Sequence, residues 1–197
     1  MSYLSNLHQI SSKLENRLEW PDYFMSIAIL ASTRSPCHRL KVGCIIVRDN
    51  RILSTGYNGF LPGKAHESII INNHEQATVH AEQNAICHAA RNGININKSQ
   101  AYITHYPCIN CYKSLAASGI SDIFYLNDYK NDPIVEQLNK DNEISINKIN
   151  DINSMNRLNN QFDKFKNTSS LESLILHNTD KFSSKSENQI HYPLSTP

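Results

Sequence analysis

The strongest constraint on the fold is an alternation of helix and strand signals that begins at His80. The run HAEQNAICHAARN, His80 to Asn92, is rich in helix formers and is followed by Gly93 at a C-terminal cap position. Ala101 to Thr104 then reads as a strand, Cys108 to Ser118 as a helix closed by Gly119, and Ile120 to Leu126 as another strand. Strands separated by helices pair in parallel, and their crossover is right-handed. Upstream, Pro21 to Ser32 predicts a helix with Pro21 in its first turn and Phe24, Ile27, Ala28 and Ala31 on one face. The β-branched runs Val42 to Val47 and Ile52 to Thr55, split by Asp49-Asn50, predict a β-hairpin. A further helix over Pro133 to Lys140 and a strand over Glu143 to Ile146 complete the pattern. The expected architecture is an α/β domain in three layers, α/β/α, around a mixed, mostly five-stranded sheet.

Residues 1–18 form an N-terminal extension in which Leu4, Leu7, Leu14 and Leu18 have helical spacing, although Ser and Asn interrupt the pattern and no strong cap is visible. Tyr57 to Thr78 reads as a loop, because Gly59, Pro62 and Gly63 oppose regular structure. The folded domain is expected over residues 19–149. Beyond it, residues 150–197 shift to Asn, Ser, Lys and Thr, a mixture that buries too little apolar surface to offset its ordering entropy, so a disordered tail is expected there. Within that tail Leu171 to Leu176 is an apolar patch suited to a short docking helix or a partner.

Charge narrows the partners. Lys and Arg total 19 against 18 Asp and Glu, so the sequence offers no basic stripe for a nucleic-acid polymer and no pull toward an anionic membrane. A small molecule is the expected partner. No apolar run approaches the ~20 residues that span a bilayer, and the N-terminus is polar, so a cytoplasmic location is expected. Five cysteines, an odd number, argue against a disulfide scaffold and leave reduced thiols for metal.

Two segments carry chemistry: His80-Ala81-Glu82 and Pro107-Cys108-Ile109-Asn110-Cys111, each opening a predicted helix. A C-x-x-C at a helix start brings two thiolates together where the helix end favours negative charge, and one imidazole makes three protein ligands. Three ligands leave the fourth tetrahedral position of a zinc ion to water, whose pKa then falls to about 7; a proton carrier is needed beside it. Glu82, two residues after His80, suits that task while staying off the metal. Cys44 in its apolar strand and Cys87 in the same helix as His80 read as small buried residues, and His88 and His105 lack the spacing for metal. Tyr106 beside Pro107 can stack on a base or simply pack.

The H-x-E and P-C-x-x-C segments resemble the signature of the zinc-dependent cytidine and deoxycytidylate deaminase family. The similarity extends to Ala31–Cys37, Val42–Val47, Ser54–Gly59, Thr78–Ile86 and Thr104–Cys111, and covers Trp20 to Ile149. It implies a cytidine-deaminase-like sandwich, one catalytic Zn²⁺ per chain on His80, Cys108 and Cys111, Glu82 as proton carrier, and hydrolysis of dCMP to dUMP and ammonia for thymidylate synthesis. Asn58, in Gly56-Tyr57-Asn58-Gly59, corresponds to a nucleotide-binding residue; an amide there can fix a sugar or base edge, or it can serve only the turn. Arg34, Arg39 and Lys41 precede the first strand and can hold a phosphate, line an effector site or form a solvated edge. The resemblance also implies a homohexamer activated by dCTP and inhibited by dTTP.

This chain departs from the family at His38, where Pro is common, and at His66-Glu67, where His-Cys is common. That cysteine serves a second, structural zinc in some members. Cys37, His66 and His74 remain, but with a partner missing a single zinc is expected. Rival readings are a deaminase for dCTP, guanine or tRNA adenosine, and a late-competence-like nucleotide-binding module without turnover.

Overall fold

Asp49 and Asn50 both take positive φ, 52° and 57°. Consecutive left-handed residues make the two-residue turn whose twist matches a hairpin, and it joins β1 (Gly43–Arg48) to β2 (Arg51–Tyr57) as the sequence predicts. The computed structural model describes residues 2–71, 74–142 and 144–149. The chain divides into two units, Met1–Asp151 and Ile152–Pro197. The second, including the Leu171 to Leu176 patch and the expected tail, lies outside the described residues.

The remaining sheet strands are β7 (Ser99–His105), β8 (Ile120–Asn127) and β9 (Ser145–Lys148). Their order is β2-β1-β7-β8-β9. β1 pairs antiparallel with β2 and β7, whereas β7–β8 and β8–β9 are parallel, giving the expected mixed five-stranded sheet. The helices are α1 (Tyr3–Ser12), α2 (Trp20–Ser32), α3 (Ala81–Arg91), α4 (Ile109–Ala117) and α5 (Pro133–Asn142). Gly93 and Gly119, at φ 65° and 82°, take the left-handed turn just beyond α3 and α4.

β1 feeds both sides of the sheet because alternate side chains point to opposite faces. Ile45 and Val47 join Phe24, Met25 and Ala28 of α2 in one core. Cys44 and Ile46 join Ala81, Ala85 and Ala89 of α3, with Leu115 of α4 and Val135 of α5, in the other. A strand buried on both faces reads as a continuous apolar run, as Cys44–Val47 does. The small residues on α3 let that helix lie close to β2: a Cβ at Gly56 would stand 2.2 Å from the Ala81 carbonyl oxygen.

Several expectations need correcting. The stretch read as a loop contains four two-residue strands, β3 (Gly59–Phe60), β4 (Ile70–Ile71), β5 (His74–Glu75) and β6 (Thr78–Val79), paired β3 with β6 and β4 with β5. Ladders this short are too brief to leave a period in the sequence. Met25 is buried on α2, while Ile27 and Ala31 pack only partly. Cys87 is exposed, not buried, because it lies on the solvent side of α3 away from Ala85 and Ala89. The N-terminal helix does have a cap: the Ser2 hydroxyl accepts the Ser5 amide at 3.2 Å. Its Leu4, Leu7 and Ile10 are exposed.

Candidate metal centre and substrate cleft

His80 and Cys108 are the N-cap residues of α3 and α4, both with extended backbone, and neither spends its side chain on a capping hydrogen bond. Both side chains are therefore left for another partner. Cys111 follows in the first turn of α4 and is fully buried. The unpaired amides and positive dipole at a helix start favour thiolate there. Cys108 Sγ lies 3.6 Å and Cys111 Sγ 3.3 Å from His80 Nδ1. The three ligand atoms all fall within 4.8 Å of one another, and among the described residues they are the cluster that could hold a metal ion. A tetrahedral zinc with ordinary bond lengths spaces its nitrogen and sulfur ligands ~3.6 Å apart, so the donor set fits that ion in chemistry and spacing.

The Cys111 thiol and the His80 ring, in that order among the attractions, bring the Cys108 thiol down to about 4. Cys111 moves the other way, chiefly because its proton bridges to the Cys108 sulfur. His80 is raised, mainly by its contact with Cys108. Glu82, in the first turn of α3 and 5% exposed, is raised above the ordinary carboxyl range, first of all by burial. A carboxyl kept dry beside a metal-ligand cluster can both take and return a proton.

An open cleft reaches His80 and Cys108 of this cluster, and is lined also by Glu82, Asn58, Arg39, Glu75, Thr78, His105, Tyr106 and Tyr129. Asn58 uses its amide to brace the preceding chain: Oδ1 accepts the Val42 amide at 2.8 Å and Nδ2 donates to the Leu40 carbonyl at 2.9 Å. One Nδ2 hydrogen and one Oδ1 lone pair remain for a ligand. Of the three basic residues singled out from the sequence, Arg39 reaches the cleft and donates to the Tyr129 hydroxyl at 2.9 Å. Arg34 and Lys41 are exposed and do not line it. Cys37 is buried at the cleft, and His66 stacks on Phe60 with ring centroids 5.1 Å apart. Tyr106 is buried edge-on to Tyr125 at 5.0 Å.

Glu75 and Tyr129 were not singled out from the sequence. Tyr129 had a signal: it follows the carboxyl end of parallel strand β8, where open α/β sheets place ligands. Glu75 had none, since its position depends on the short β5 ladder, where its Oε1 accepts the Ile69 and Ala77 amides at 3.1 and 2.9 Å.

The family described as the cytidine and deoxycytidylate deaminase zinc-binding region matches residues 18–127. ComE operon protein 2 of Bacillus subtilis is 38% identical over 137 residues, covering 68% of this chain and 72% of that protein. The deoxycytidylate deaminase of Mycobacterium phage D29 is 36% identical over 125 residues, 56% of this chain and 96% of that one. The match to the deoxycytidylate deaminase of Saccharomyces cerevisiae, 36% identical, spans 59% of this chain and 40% of that protein. Among solved structures, the dCMP deaminase of cyanophage S-TIM5 in complex with dCMP and dUMP is 30% identical with a TM-score of 0.62, covering 68% of this chain and all of that one.

Proposed function

This chain belongs to the cytidine and deoxycytidylate deaminase zinc-binding family, and from that premise we propose that it hydrolyses dCMP to dUMP and ammonia, a reaction that feeds thymidylate synthesis. The observation that carries the reading is the His80, Cys108 and Cys111 cluster opening into a cleft that also holds the buried Glu82. Relatives named deoxycytidylate deaminase and the cyanophage structure with dCMP and dUMP support the choice of substrate.

In this reading His80 Nδ1 and the two sulfurs hold one zinc per chain, and the ion, when bound, supplies the Lewis acidity that brings a water's pKa to about 7. Glu82 takes one proton from the attacking water and delivers it to the ring nitrogen, where it stays; it then carries the remaining hydroxyl proton to the amine as the C4–N bond breaks and the C4 carbonyl forms, so that water and dCMP balance dUMP and ammonia. Asn58 offers its spare donor and acceptor to the nucleotide, and Arg39 offers positive charge to its phosphate.

The proposal extends to a catalytic domain over residues 19–149, a cytoplasmic place of work suited to free thiols, and a homohexamer that responds to dCTP and dTTP. No helix among the described residues is long and apolar enough to cross a membrane. Exposed Trp20, Tyr23, Ile29 and Leu30 on α2 support self-association. Rate against dCTP and dTTP, with mass in solution, tests these parts. For the reaction itself, ammonia release from zinc-loaded protein is compared across dCMP, dCTP, cytidine and guanine. Preference for dCMP is expected; binding of dCMP without ammonia release would make the chain a nucleotide-binding module, and preference for another base would replace the substrate.

A further inference from the structure

Tyr57 and Asn58 share one peptide unit, and the structure holds that unit from both sides. Its N–H, which belongs to Asn58, donates to the Val42 carbonyl at 3.2 Å. Its carbonyl, which belongs to Tyr57, accepts from Asn84 Nδ2 at 3.0 Å. A carbonyl can only accept, so the nitrogen end of the Asn84 amide faces it. Gly43, opposite Tyr57 in β1, gives its own amide to Thr104 Oγ1, and β2 is the outermost strand of the sheet. The donor for this carbonyl therefore comes from a helix rather than from a neighbouring strand.

That helix is α3, which His80 caps and which carries Glu82 in its first turn. The main-chain N–H of Asn84 closes the same turn on the His80 carbonyl at 2.8 Å. One residue thus bonds both to the segment that bears the candidate ligand and proton carrier and to the peptide that bears Asn58. On the far side of Asn58 the chain is keyed to the same segment, because Gly59 pairs with Val79 and Phe60 with Thr78, just before His80. Asn58 has spent one donor and one acceptor on Leu40 and Val42, so the tilt of the Tyr57–Asn58 peptide sets the direction of the donor and acceptor that remain. Asn84 is itself partly buried and does not line the cleft.

We propose that Asn84 is a positioning residue: by fastening the Tyr57–Asn58 peptide to α3, it fixes where Asn58 presents its free hydrogen-bonding groups to the nucleotide relative to His80 and Glu82. The proposal rests on the deaminase reading above and adds to it a residue that acts through Asn58 without touching the substrate.

The test is a double-mutant cycle. Zinc-loaded protein carrying Glu82→Gln is titrated calorimetrically with dCMP, alone and with Asn84→Ala, Asn84→Asp, Asn58→Ala or Asn58→Ala together with Asn84→Ala. Loss of one neutral hydrogen bond predicts dCMP affinity about three- to tenfold weaker for Asn84→Ala. Asn84→Asp keeps the shape but offers no donor to the carbonyl, so it is weakened at least as much, which assigns the effect to the hydrogen bond rather than to lost volume. In the Asn58→Ala background the further loss from Asn84→Ala is less than about twofold, because the group it orients is gone. With Glu82 intact, Asn84→Ala raises KM for dCMP by a similar three- to tenfold while kcat falls by less, the mark of lost binding rather than of a displaced proton carrier. Zinc content stays at the parent value. Unchanged affinity in both Asn84 variants, an equal loss with and without Asn58, or a fall in kcat as large as the rise in KM overturns the positioning role. Ammonia release from dCMP by the wild type separates the two readings: release together with an affinity indifferent to Asn84 removes the positioning role alone, Asn84-dependent binding without release removes the deaminase reading alone, and neither binding nor release removes both.

Discussion

Gly56→Ala tests whether the close approach of α3 to the sheet sets the geometry of the candidate centre. Gly56 lies in β2 opposite Cys44, and an added Cβ would stand 2.2 Å from the Ala81 carbonyl oxygen and 2.6 Å from the Ala85 amide nitrogen. Both are helix backbone atoms, so no side chain can swing aside. Restoring ordinary contact requires α3 to retreat by about 1 Å. That helix carries Glu82 and begins at His80, whereas Cys108 and Cys111 belong to α4. Overpacking of this kind costs about 1–3 kcal/mol, offset by about 0.4–1 kcal/mol because Ala restricts the unfolded chain. A displacement of about 1 Å in a positioned group reduces turnover about 100-fold. Urea unfolding, zinc stoichiometry and ammonia release from dCMP are measured on one preparation. The expected variant is modestly destabilised and slow out of proportion to its stability; wild-type midpoint and wild-type rate together would refute the claim that this contact positions Glu82.

Glu82→Gln should retain zinc and lose about 10²–10⁴-fold in kcat, because the amide cannot shuttle protons; near-normal turnover would remove Glu82 from that role. Cys108→Ala should lose both zinc and activity, and a chelator should lower the melting temperature of the wild type more than that of the variant. Asn58→Ala strands the Val42 amide and the Leu40 carbonyl and should cost about 1–3 kcal/mol in urea unfolding as well as raise KM for dCMP; unchanged stability would show that the brace is dispensable. Tyr102, buried against Phe24 and Phe124, has its phenol pushed up to about 12, chiefly by desolvation. The unfolded chain thus gives up this proton first, and stability should fall as pH rises from about 10 to about 12. Tyr102→Phe should remove that part of the alkaline loss, seen as a flatter melting temperature profile over the same window.

Local chemistry explains which features were legible from the residues alone. Asp49-Asn50 names its turn, Gly93 and Gly119 mark where α3 and α4 stop, and β1 reads as doubly buried, because each signal is written within a few positions of the chain. His80, Cys108 and Cys111 could be grouped as candidate ligands because C-x-x-C and a nearby imidazole at helix starts have few other uses in combination. Tertiary structure alone decided the rest. β1 joins the parallel strands through an antiparallel edge to β7, and Arg39 reaches the cleft while Arg34 and Lys41 do not. Asn58 turns inward to brace Leu40 and Val42, Cys87 faces solvent, and Thr104 Oγ1 meets both the Gly43 amide and His105 Nδ1. Each of these outcomes depends on which distant segment arrives opposite a given side chain, and local periodicity specifies which face a residue occupies without specifying what it meets there.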